Sequence, residues 1–316
     1  MESVDDDLGE RTGVAGGAGI LWRLIGLSAT AVVAGVVATG VTLSFGEGSG
    51  IVMMPVSVCV LVAWIYRYLR PAPRLSRAAE DAAQMLLILL AFELMSYPAA
   101  ILGGAFAYRD AWLAAADRAL GLDWHAYLAL VDGRPMLNGL MKGGYESGIV
   151  VLGLIPCAFA VTGQRRQMQR FLMALWLSGA ATLAIFMFMP ALHAFAYYGI
   201  GITDLHGLHP VLLENRFVAQ FTALRAPGPH RIPMGELEGL VEFPSFHTTM
   251  SFLFVWALWP LRWLRPPVVV ASLLSLSSTP IDGAHFFVDM IAGAVIAAVA
   301  IVVATRWARG RAIRPG

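Results

Sequence analysis

Long apolar runs constrain this chain more than any other feature of its sequence. A helix needs about 20 apolar residues to cross the hydrocarbon core of a bilayer. Eight uninterrupted runs meet or approach that length, near residues 20–44, 51–66, 84–107, 143–162, 170–190, 247–263, 267–280 and 285–305. The first run is too long for the apolar region of a secretory signal, so we expect it to be retained. The runs predict an all-α, polytopic integral membrane bundle of about eight transmembrane helices.

The overall composition agrees with this class. Hydrophobic residues make up 58% of the chain and charged residues 14%, which excludes a water-soluble domain. The formal net charge of +1 points to no particular partner. We expect the bilayer itself to be the main partner and no nucleic acid to bind.

The distribution of lysine and arginine predicts how the bundle is oriented. Short cytoplasmic loops keep an excess of these residues. With eight spans, one side of the membrane receives fifteen of them and the other side seven, although the seven lie in the two longest loops, near 108–142 and 191–244. We therefore expect both ends of the chain in the cytoplasm and the long loops on the outer face of a bacterial inner membrane.

Two histidine-bearing segments lie at the outer ends of the last spans. The first reads Pro244-Ser245-Phe246-His247-Thr248, and the second, from Pro280, contains His285 and Asp289. On a helix, His285 and Asp289 lie one turn apart on one face, where the carboxylate can fix the imidazole tautomer. The sixth span runs inward from His247 and the seventh returns outward, so the two histidines can meet. Ionisable groups are expensive inside a bilayer, so three at one depth indicate a functional site rather than packing.

Together these segments resemble the motifs of the type 2 phosphatidic acid phosphatase superfamily. That superfamily carries Pro-Ser-x-His and, on the following helical hairpin, His-x-x-x-Asp, which match 244–247 and 285–289 here. Phe246 stands where its phosphatases commonly have glycine, and Thr279 where they usually have arginine. In these features the chain is similar to the branch that contains fungal inositol phosphorylceramide synthase.

The resemblance covers roughly residues 110–305 and implies how the chain is divided. We expect a cytoplasmic tail at 1–19, N-terminal transmembrane helices at 20–107, a catalytic transmembrane core at 108–305 and a basic cytoplasmic tail at 306–316. The sequence does not indicate an oligomeric state.

The resemblance also implies an enzyme and assigns roles to the three ionisable residues. His285 attacks phosphorus to give a phosphohistidine, Asp289 holds its reactive tautomer, and His247 protonates the leaving oxygen and then activates the acceptor. The expected substrate is a lipid phosphate or a phospholipid headgroup at the outer face, and the acceptor is either water or an alcohol. One alternative is a phosphatase for polyprenyl or diacylglycerol phosphate, and another is a non-catalytic lipid-phosphate binder or transporter.

The residues that would bind the phosphate are less well defined. Ser245 and the amides after it begin a helix, whose N-terminus favours an anion. The phosphatase motif Lys-x6-Arg-Pro does not occur in the sequence. Arg225, in the loop before the first histidine, is our candidate for the clamp, with a solvated loop charge as the alternative. Lys142 is a second candidate, with snorkelling at the interface as its alternative.

Three further expectations concern the surroundings of the site. Asp282 either caps the eighth helix or touches substrate. The segment 112–131 either lies as an amphipathic stretch on the membrane surface or packs as a connector. The scattered histidines of the outer loop match no metal-ligand spacing, so we expect neither a metal nor another cofactor.

Overall fold

The structure is a computed structural model that describes residues 2–46, 48–206, 208 and 217–312, without the side chains of residues 2–16 and 310–312. Arg216, one of the seven basic residues assigned to the outer side, lies outside the described residues.

The described chain folds into twelve α-helices and one pair of short strands. The helices are α1 Glu2–Thr39, α2 Ser49–Trp64, α3 Pro73–Leu102, α4 Asp110–Ala119, α5 Trp124–Val131, α6 Pro135–Thr162, α7 Arg165–Phe188, α8 Ala194–Tyr198, α9 Phe217–Arg225, α10 Phe246–Leu258, α11 Arg265–Asp282 and α12 Phe287–Ala312. The strands, β1 Thr42–Ser44 and β2 Arg231–Pro233, pair in parallel.

The prediction of an all-α membrane bundle is confirmed. Each of the eight apolar runs overlaps one helix, and the eight helices are α1, α2, α3, α6, α7, α10, α11 and α12. Of these eight helices, six are long and apolar enough to cross a membrane within the described residues. The other two, α10 and α11, do not meet that standard. At 13 and 18 residues, α10 and α11 are about 20 Å and 27 Å long. They form a short hairpin inside a frame of longer helices.

Three helix boundaries differ from the sequence prediction, and at α3 the difference is explained by polar residues that are paired with a neighbouring helix. α3 begins at Pro73 rather than near residue 84. Its polar first turns are held by Arg165, which lies 2.9 Å from Glu80 and 3.6 Å from Asp81. Hydropathy alone ends a span at such residues, whereas an ion pair lets the helix continue. The fourth run likewise begins earlier, at Pro135, and the first helix ends at Thr39, before β1.

The largest core cluster forms where α7 packs against its neighbours. Phe171 and Leu175 of α7 are fully buried in it, together with Leu253 of α10 and Ala297 of α12. Small residues let the backbones approach closely, as is typical of membrane helices. At Gly179 a Cβ atom would lie 2.2 Å from the ring of Phe92, so this position of α7 accepts only glycine next to α3.

Serine side chains join the two helices of the short hairpin. Ser272 donates to the carbonyl of Ser251 at 3.2 Å, and the hydroxyls of Ser251 and Ser275 lie 3.4 Å apart. α6 packs on α11 at Gly144, where a Cβ would lie 2.5 Å from that of Leu274. These contacts fix the hairpin so that the start of α10 and the end of α11 lie at the same end of the bundle.

A close contact between α10 and α12 joins the two histidine segments. The amide of Ser245 donates to the carbonyl of Asp289 at 3.1 Å, and Thr249 Oγ1 donates to the carbonyl of Gly293 at 2.9 Å. A Cβ on Gly293 would lie 2.3 Å from the Ser245 carbonyl oxygen. Only glycine permits this approach, because real Cβ atoms do not come so close to a backbone oxygen.

The connector α4–α5 packs against the site. Trp124 is 1% exposed and its indole N–H donates to the carbonyl of Pro280 at 3.1 Å. Both carboxylate oxygens of Asp117 accept hydrogen bonds from the first amides of α12, at 2.9 Å from Phe287 and 2.8 Å from Val288. The helix cap therefore comes from Asp117 rather than from Asp282, for which capping was one of two alternatives.

The loop before the first histidine segment is held at two points. β1 pairs with β2 in the register Thr42 with Arg231, so the end of α1 anchors the start of this loop. Further along, Tyr97 of α3 donates its hydroxyl to the carbonyl of Glu238 at 3.3 Å and accepts from its amide at 2.9 Å. These contacts position the residues that follow Glu238 and lead to Ser245.

The Gly293 contact generates the first prediction. Gly293→Ala should separate α12 from α10, lower the midpoint of thermal unfolding and reduce turnover at least about tenfold, because overpacking a tight contact costs about 1–3 kcal/mol. Gly153→Ala is the matched control, since Gly153 lies on α6 with nothing within 4 Å of an added Cβ. Thermal unfolding and initial rates measure both effects. Equal behaviour of the two variants would contradict the role given to this contact.

Candidate functional site

The structure brings together the three residues expected to carry the chemistry. His285 lies in the turn between α11 and α12, and its Nδ1 is 3.4 Å from Oδ2 of Asp289. His247 lies in the first turn of α10 and lines the same cavity as His285. Much of the His247 ring surface is accessible, and this surface faces the cavity rather than bulk water.

The backbone around His285 is held in an unusual conformation. Ala284 has a φ of 53°, in the left-handed region that non-glycine residues rarely adopt. Its amide donates to the carbonyl of Ile281 at 3.2 Å, and its carbonyl accepts from Ala194 at 2.8 Å. The turn is therefore fixed on both sides by backbone hydrogen bonds, which is how a strained residue persists at a functional site.

Glu242 lies beside the His285–Asp289 pair, a position that no sequence pattern indicates. Its Oε2 lies 3.3 Å from Nδ1 of His285, and its side chain is almost completely buried. A single Nδ1–H can donate to only one carboxylate at a time. Burial, with the negative charges of Asp289 and Asp110 as further causes, raises the pKa of Glu242 well above its usual value. Two buried carboxylate charges at one nitrogen are costly, so the Glu242–Asp289 pair favours holding one proton between the two carboxyl groups.

The imidazole of His285 is neutral in this environment. Burial lowers its pKa from 6.5 to about 4. Asp289 Oδ2 also accepts from the Phe286 amide at 2.9 Å, so the carboxylate is fixed by two partners. With Nδ1 directed to the carboxylates, Nε2 keeps its lone pair and is free to act as a nucleophile.

Tyr145 positions the second histidine. The rings of Tyr145 and His247 stack with centroids 4.4 Å apart and an interplanar angle of 24°, and the Tyr145 hydroxyl lies 3.4 Å from Nδ1 of His247. When Tyr145 donates this bond, the proton of the imidazole is on Nε2, the tautomer that a general acid needs. No sequence pattern marks this pairing, because the two residues come from different helices.

A third histidine lies close to the pair. His193 is buried at the N-terminus of α8, where its Nδ1 accepts from the Ala196 amide at 3.0 Å. Burial lowers its pKa from 6.5 to about 4, and interaction with His285 adds to that shift. In the sequence His193 is one of the scattered histidines of the outer loop, whereas the fold places it close to His285.

The expected phosphate-binding residues lie in different surroundings. Ser245 begins α10, and its hydroxyl accepts from the Thr248 amide at 3.3 Å, as predicted for a helix cap. Lys142 lies on α6 one turn before Tyr145, close enough to Asp282 for an electrostatic interaction. Ser245 is two residues from His247 in the chain but fully buried, whereas Lys142 is exposed, and neither side chain lines the cavity that the two histidines share.

The structure does not bring Arg225 to this cluster. Its guanidinium donates to the backbone carbonyls of Gly103, at 2.9 Å, and Phe106, and it lies over the ring of Tyr108 at 4.5 Å. Arg225 ends α9, about 12 Å along the helix from Phe217, which lines the cavity. In this structure the side chain fastens α9 to the end of α3.

One group of described residues has the composition of a metal site. The ligand atoms of Glu242, His285 and Asp289 lie within 4.8 Å of one another, and all three residues are buried. Oε2 of Glu242 and Oδ1 of Asp289 have no hydrogen-bond partner among the described residues. The same three groups can therefore either share a proton or hold a cation.

Comparison with known proteins adds one match. The family model described as PAP2 superfamily matches residues 111–303, more than half of the chain, including both histidine segments, Glu242 and Tyr145. No curated protein and no solved structure matches the chain.

The carboxylate pair generates the second prediction. If the pair shares a proton, turnover should survive excess EDTA, and Glu242→Gln should retain more activity than Glu242→Ala, because the amide keeps the shape and a hydrogen-bonding group. Metal analysis of the purified protein accompanies the rate measurements. Loss of turnover in EDTA that returns on adding Mg²⁺, Mn²⁺ or Zn²⁺ would instead establish a metal held by Glu242, His285 and Asp289.

Proposed function

The chain belongs to the PAP2 superfamily, and from this premise we propose that it transfers a phosphoryl group from a membrane lipid through a phosphohistidine on His285. Members of the superfamily are generally phosphatases or phosphotransferases of lipid-type substrates. The observation that carries the proposal is the position of His285 Nδ1, 3.4 Å from Asp289, in a cavity that His247 also lines.

The first half of the proposed reaction forms the covalent intermediate. Nε2 of His285 attacks phosphorus, the Nε2–P bond forms and the bond from phosphorus to the lipid oxygen breaks. His247 donates its Nε2 proton to that oxygen, so a neutral lipid alcohol leaves. Asp289 stabilises the positive charge that develops on the His285 ring, as an orienting carboxylate does.

The second half returns the enzyme to its starting state. His247, now with a free nitrogen, takes a proton from the acceptor hydroxyl, the acceptor oxygen bonds to phosphorus and the Nε2–P bond breaks. Water as acceptor makes the protein a phosphatase, and an alcohol makes it a phosphotransferase. The proton taken in this half replaces the one given in the first, so the cycle balances.

Two residues favour the phosphotransferase over the hydrolase. Phe246 lines the cavity directly beside His247, where a large apolar ring reduces the room for water. Thr279, which stands where phosphatases of the family usually have arginine, is fully buried and donates to the carbonyl of Ser275 at 2.7 Å. We therefore propose the inositolphosphotransferase-like branch, with a polyprenyl or diacylglycerol phosphate phosphatase as the close alternative.

Binding of the phosphate is proposed to use the start of α10 and Lys142. The free amides of the first turn and the partial positive charge of the helix N-terminus favour an anion. Lys142 adds a full charge from α6 next to Tyr145. Arg225 could bind the phosphate only if its guanidinium left the carbonyls of Gly103 and Phe106. We therefore propose that its main role is structural.

The chemistry argues against a protein that only binds its lipid. A binder or transporter needs charge to hold a phosphate, but it needs neither a nucleophile with an orienting carboxylate nor a second imidazole aligned by a tyrosine. Burying these groups costs free energy that a catalytic role explains. The orientation proposed from the basic residues puts this site on the outer face of the membrane.

Substitution of the histidines tests the mechanism. His285→Ala should abolish turnover and labelling by a radioactive lipid phosphate, because no other residue then offers a nucleophilic nitrogen beside Asp289. His247→Ala should slow substrates with poor leaving groups more than those with good ones, since it no longer supplies the proton. Release of the leaving alcohol is followed across a leaving-group series, with Gly153→Ala as the folded control. His285→Ala with at least a tenth of the normal rate, a change of about 1.4 kcal/mol in the barrier, would exclude it as nucleophile.

The orientation is tested by labelling single cysteines in intact cells. The background carries Cys59→Ser and Cys157→Ser, because both native thiols are free. Ala226→Cys, exposed after α9, should react with a membrane-impermeant maleimide, whereas Gln164→Cys, between α6 and α7, should react only after permeabilisation. The reverse pattern would place the site in the cytoplasm and leave the chemistry unchanged.

A further inference from the structure

The cavity extends from the two histidines deep into the helix bundle. It has a volume of about 690 Å³, within the usual range of pockets that hold small molecules. α2, α3 and α7 form its far wall, and the loop 237–242 closes one side. Most of that wall is aliphatic, from residues that include Val52, Val56, Leu86, Leu89 and Leu90. Such a wall suits the hydrocarbon part of a lipid whose phosphate lies at His285.

A group of polar side chains interrupts this aliphatic wall. Glu93 and Ser96 lie one turn apart on α3, and Thr182 faces the same cavity from α7. Oε1 of Glu93 and Oγ1 of Thr182 are buried and have no hydrogen-bond partner among the described residues. Ser96 uses its hydrogen on the carbonyl of Glu93, at 2.7 Å, and can still accept. The mechanism proposed above uses none of these three residues.

Packing alone does not account for this polar group. A buried polar atom without a partner costs about 1–3 kcal/mol. A carboxyl group at membrane depth is more costly still and marks a functional position by default. Gly179, one turn before Thr182 on α7, also lines the cavity, and the ring of Phe92 packs against it. A ligand that enters the cavity could supply the hydrogen bonds that Glu93 Oε1 and Thr182 Oγ1 lack.

We propose that Glu93, Ser96 and Thr182 form a second recognition site, which binds a hydroxyl group carried on the hydrocarbon part of the lipid. A hydroxyl both donates and accepts, which matches a set that contains acceptors on Glu93 and Ser96 and a donor on Thr182, whereas an ammonium only donates. The substrate class is thus a hydroxylated lipid phosphate rather than a plain alkyl or isoprenoid phosphate. This inference rests on the proposed function for the position of the phosphate, but the hydroxyl site itself stands on the cavity.

A scan of hydroxyl position tests the inference. The probes are dodecyl phosphate and its analogues with one hydroxyl at carbon 2, 3, 4 or 6. The wild-type protein should turn over at least one analogue with a kcat/KM about tenfold above that of dodecyl phosphate, as expected for one hydrogen bond to a buried polar group. Glu93→Leu and Thr182→Val should bring that ratio close to one. Ser178→Ala, a buried and unpartnered hydroxyl of α7 outside the cavity lining, should keep the wild-type ratio.

A binding measurement separates this inference from the proposed reaction. Dodecanol and the corresponding dodecanediols carry no phosphate, so calorimetry with detergent-solubilised protein reports the hydroxyl site even if no probe is turned over. The best diol should bind the wild-type protein about tenfold more tightly than dodecanol does. The Glu93→Leu protein should bind the two compounds with equal affinity. Glu93→Gln, which keeps a carbonyl acceptor, should retain part of the preference if Glu93→Leu does not fold.

Two results would overturn the inference. Equal binding of dodecanol and every diol by the wild-type protein would exclude a hydroxyl site in the cavity. A diol preference that persists unreduced in Glu93→Leu and Thr182→Val, or in Glu93→Gln and Thr182→Val if Glu93→Leu does not fold, would place the site elsewhere. Absence of turnover for all the phosphates, together with a diol preference that depends on Glu93, would refute the proposed reaction and leave the hydroxyl site standing.

Discussion

The contact between the start of α10 and the start of α12 is the constraint on which the rest of the site depends. It joins the Ser245 amide to the Asp289 carbonyl at 3.1 Å and is possible only because residue 293 is glycine. Asp289 lies beside His285, and Ser245 begins the helix that carries His247, so this contact sets how far apart the two histidines lie. Asp117 fixes the same end of α12 from a different part of the chain, through the Phe287 and Val288 amides.

Buried polar groups determine the electrostatic character of the site. Two carboxyl groups lie within 3.4 Å of one imidazole nitrogen, and burial keeps that imidazole neutral. A neutral ring is the form that can attack phosphorus, and an ionised Asp289 is the form that can stabilise the resulting positive charge. Burial raises the pKa of Glu242, and one proton shared by the two carboxyl groups lowers the cost of burying them. The loop that carries Glu242 is held by β1 and Tyr97, so elements outside the matched family segment contribute to the geometry.

The cavity connects this chemistry with the membrane. One end holds Tyr145, His247, His285 and Glu242, while the aliphatic end is formed by α2 and α3, which precede the matched family segment, together with α7 inside it. The N-terminal helices α2 and α3 thus do more than anchor the protein, because they supply the wall that a lipid chain would contact. A division into an N-terminal anchor and a catalytic core describes the sequence, but the binding space belongs to both.

The sequence by itself determined the fold class and marked His247, His285 and Asp289 as candidates. Long apolar runs have one stable solution in a bilayer, and His285 and Asp289 are only four positions apart in the chain, so both features can be read without tertiary structure, although His285 lies in the turn before α12 rather than on the helix. Glu242, Tyr145 and His193 could not be found in this way, because each reaches the site through contacts between segments far apart in the chain. Arg225 shows the converse, since its position before the first histidine segment suggested a phosphate ligand, while packing turned its guanidinium to the carbonyls of Gly103 and Phe106. Local periodicity decides which residues form helices, but only the packing of those helices decides which side chains share a cavity and which are used to hold the bundle together.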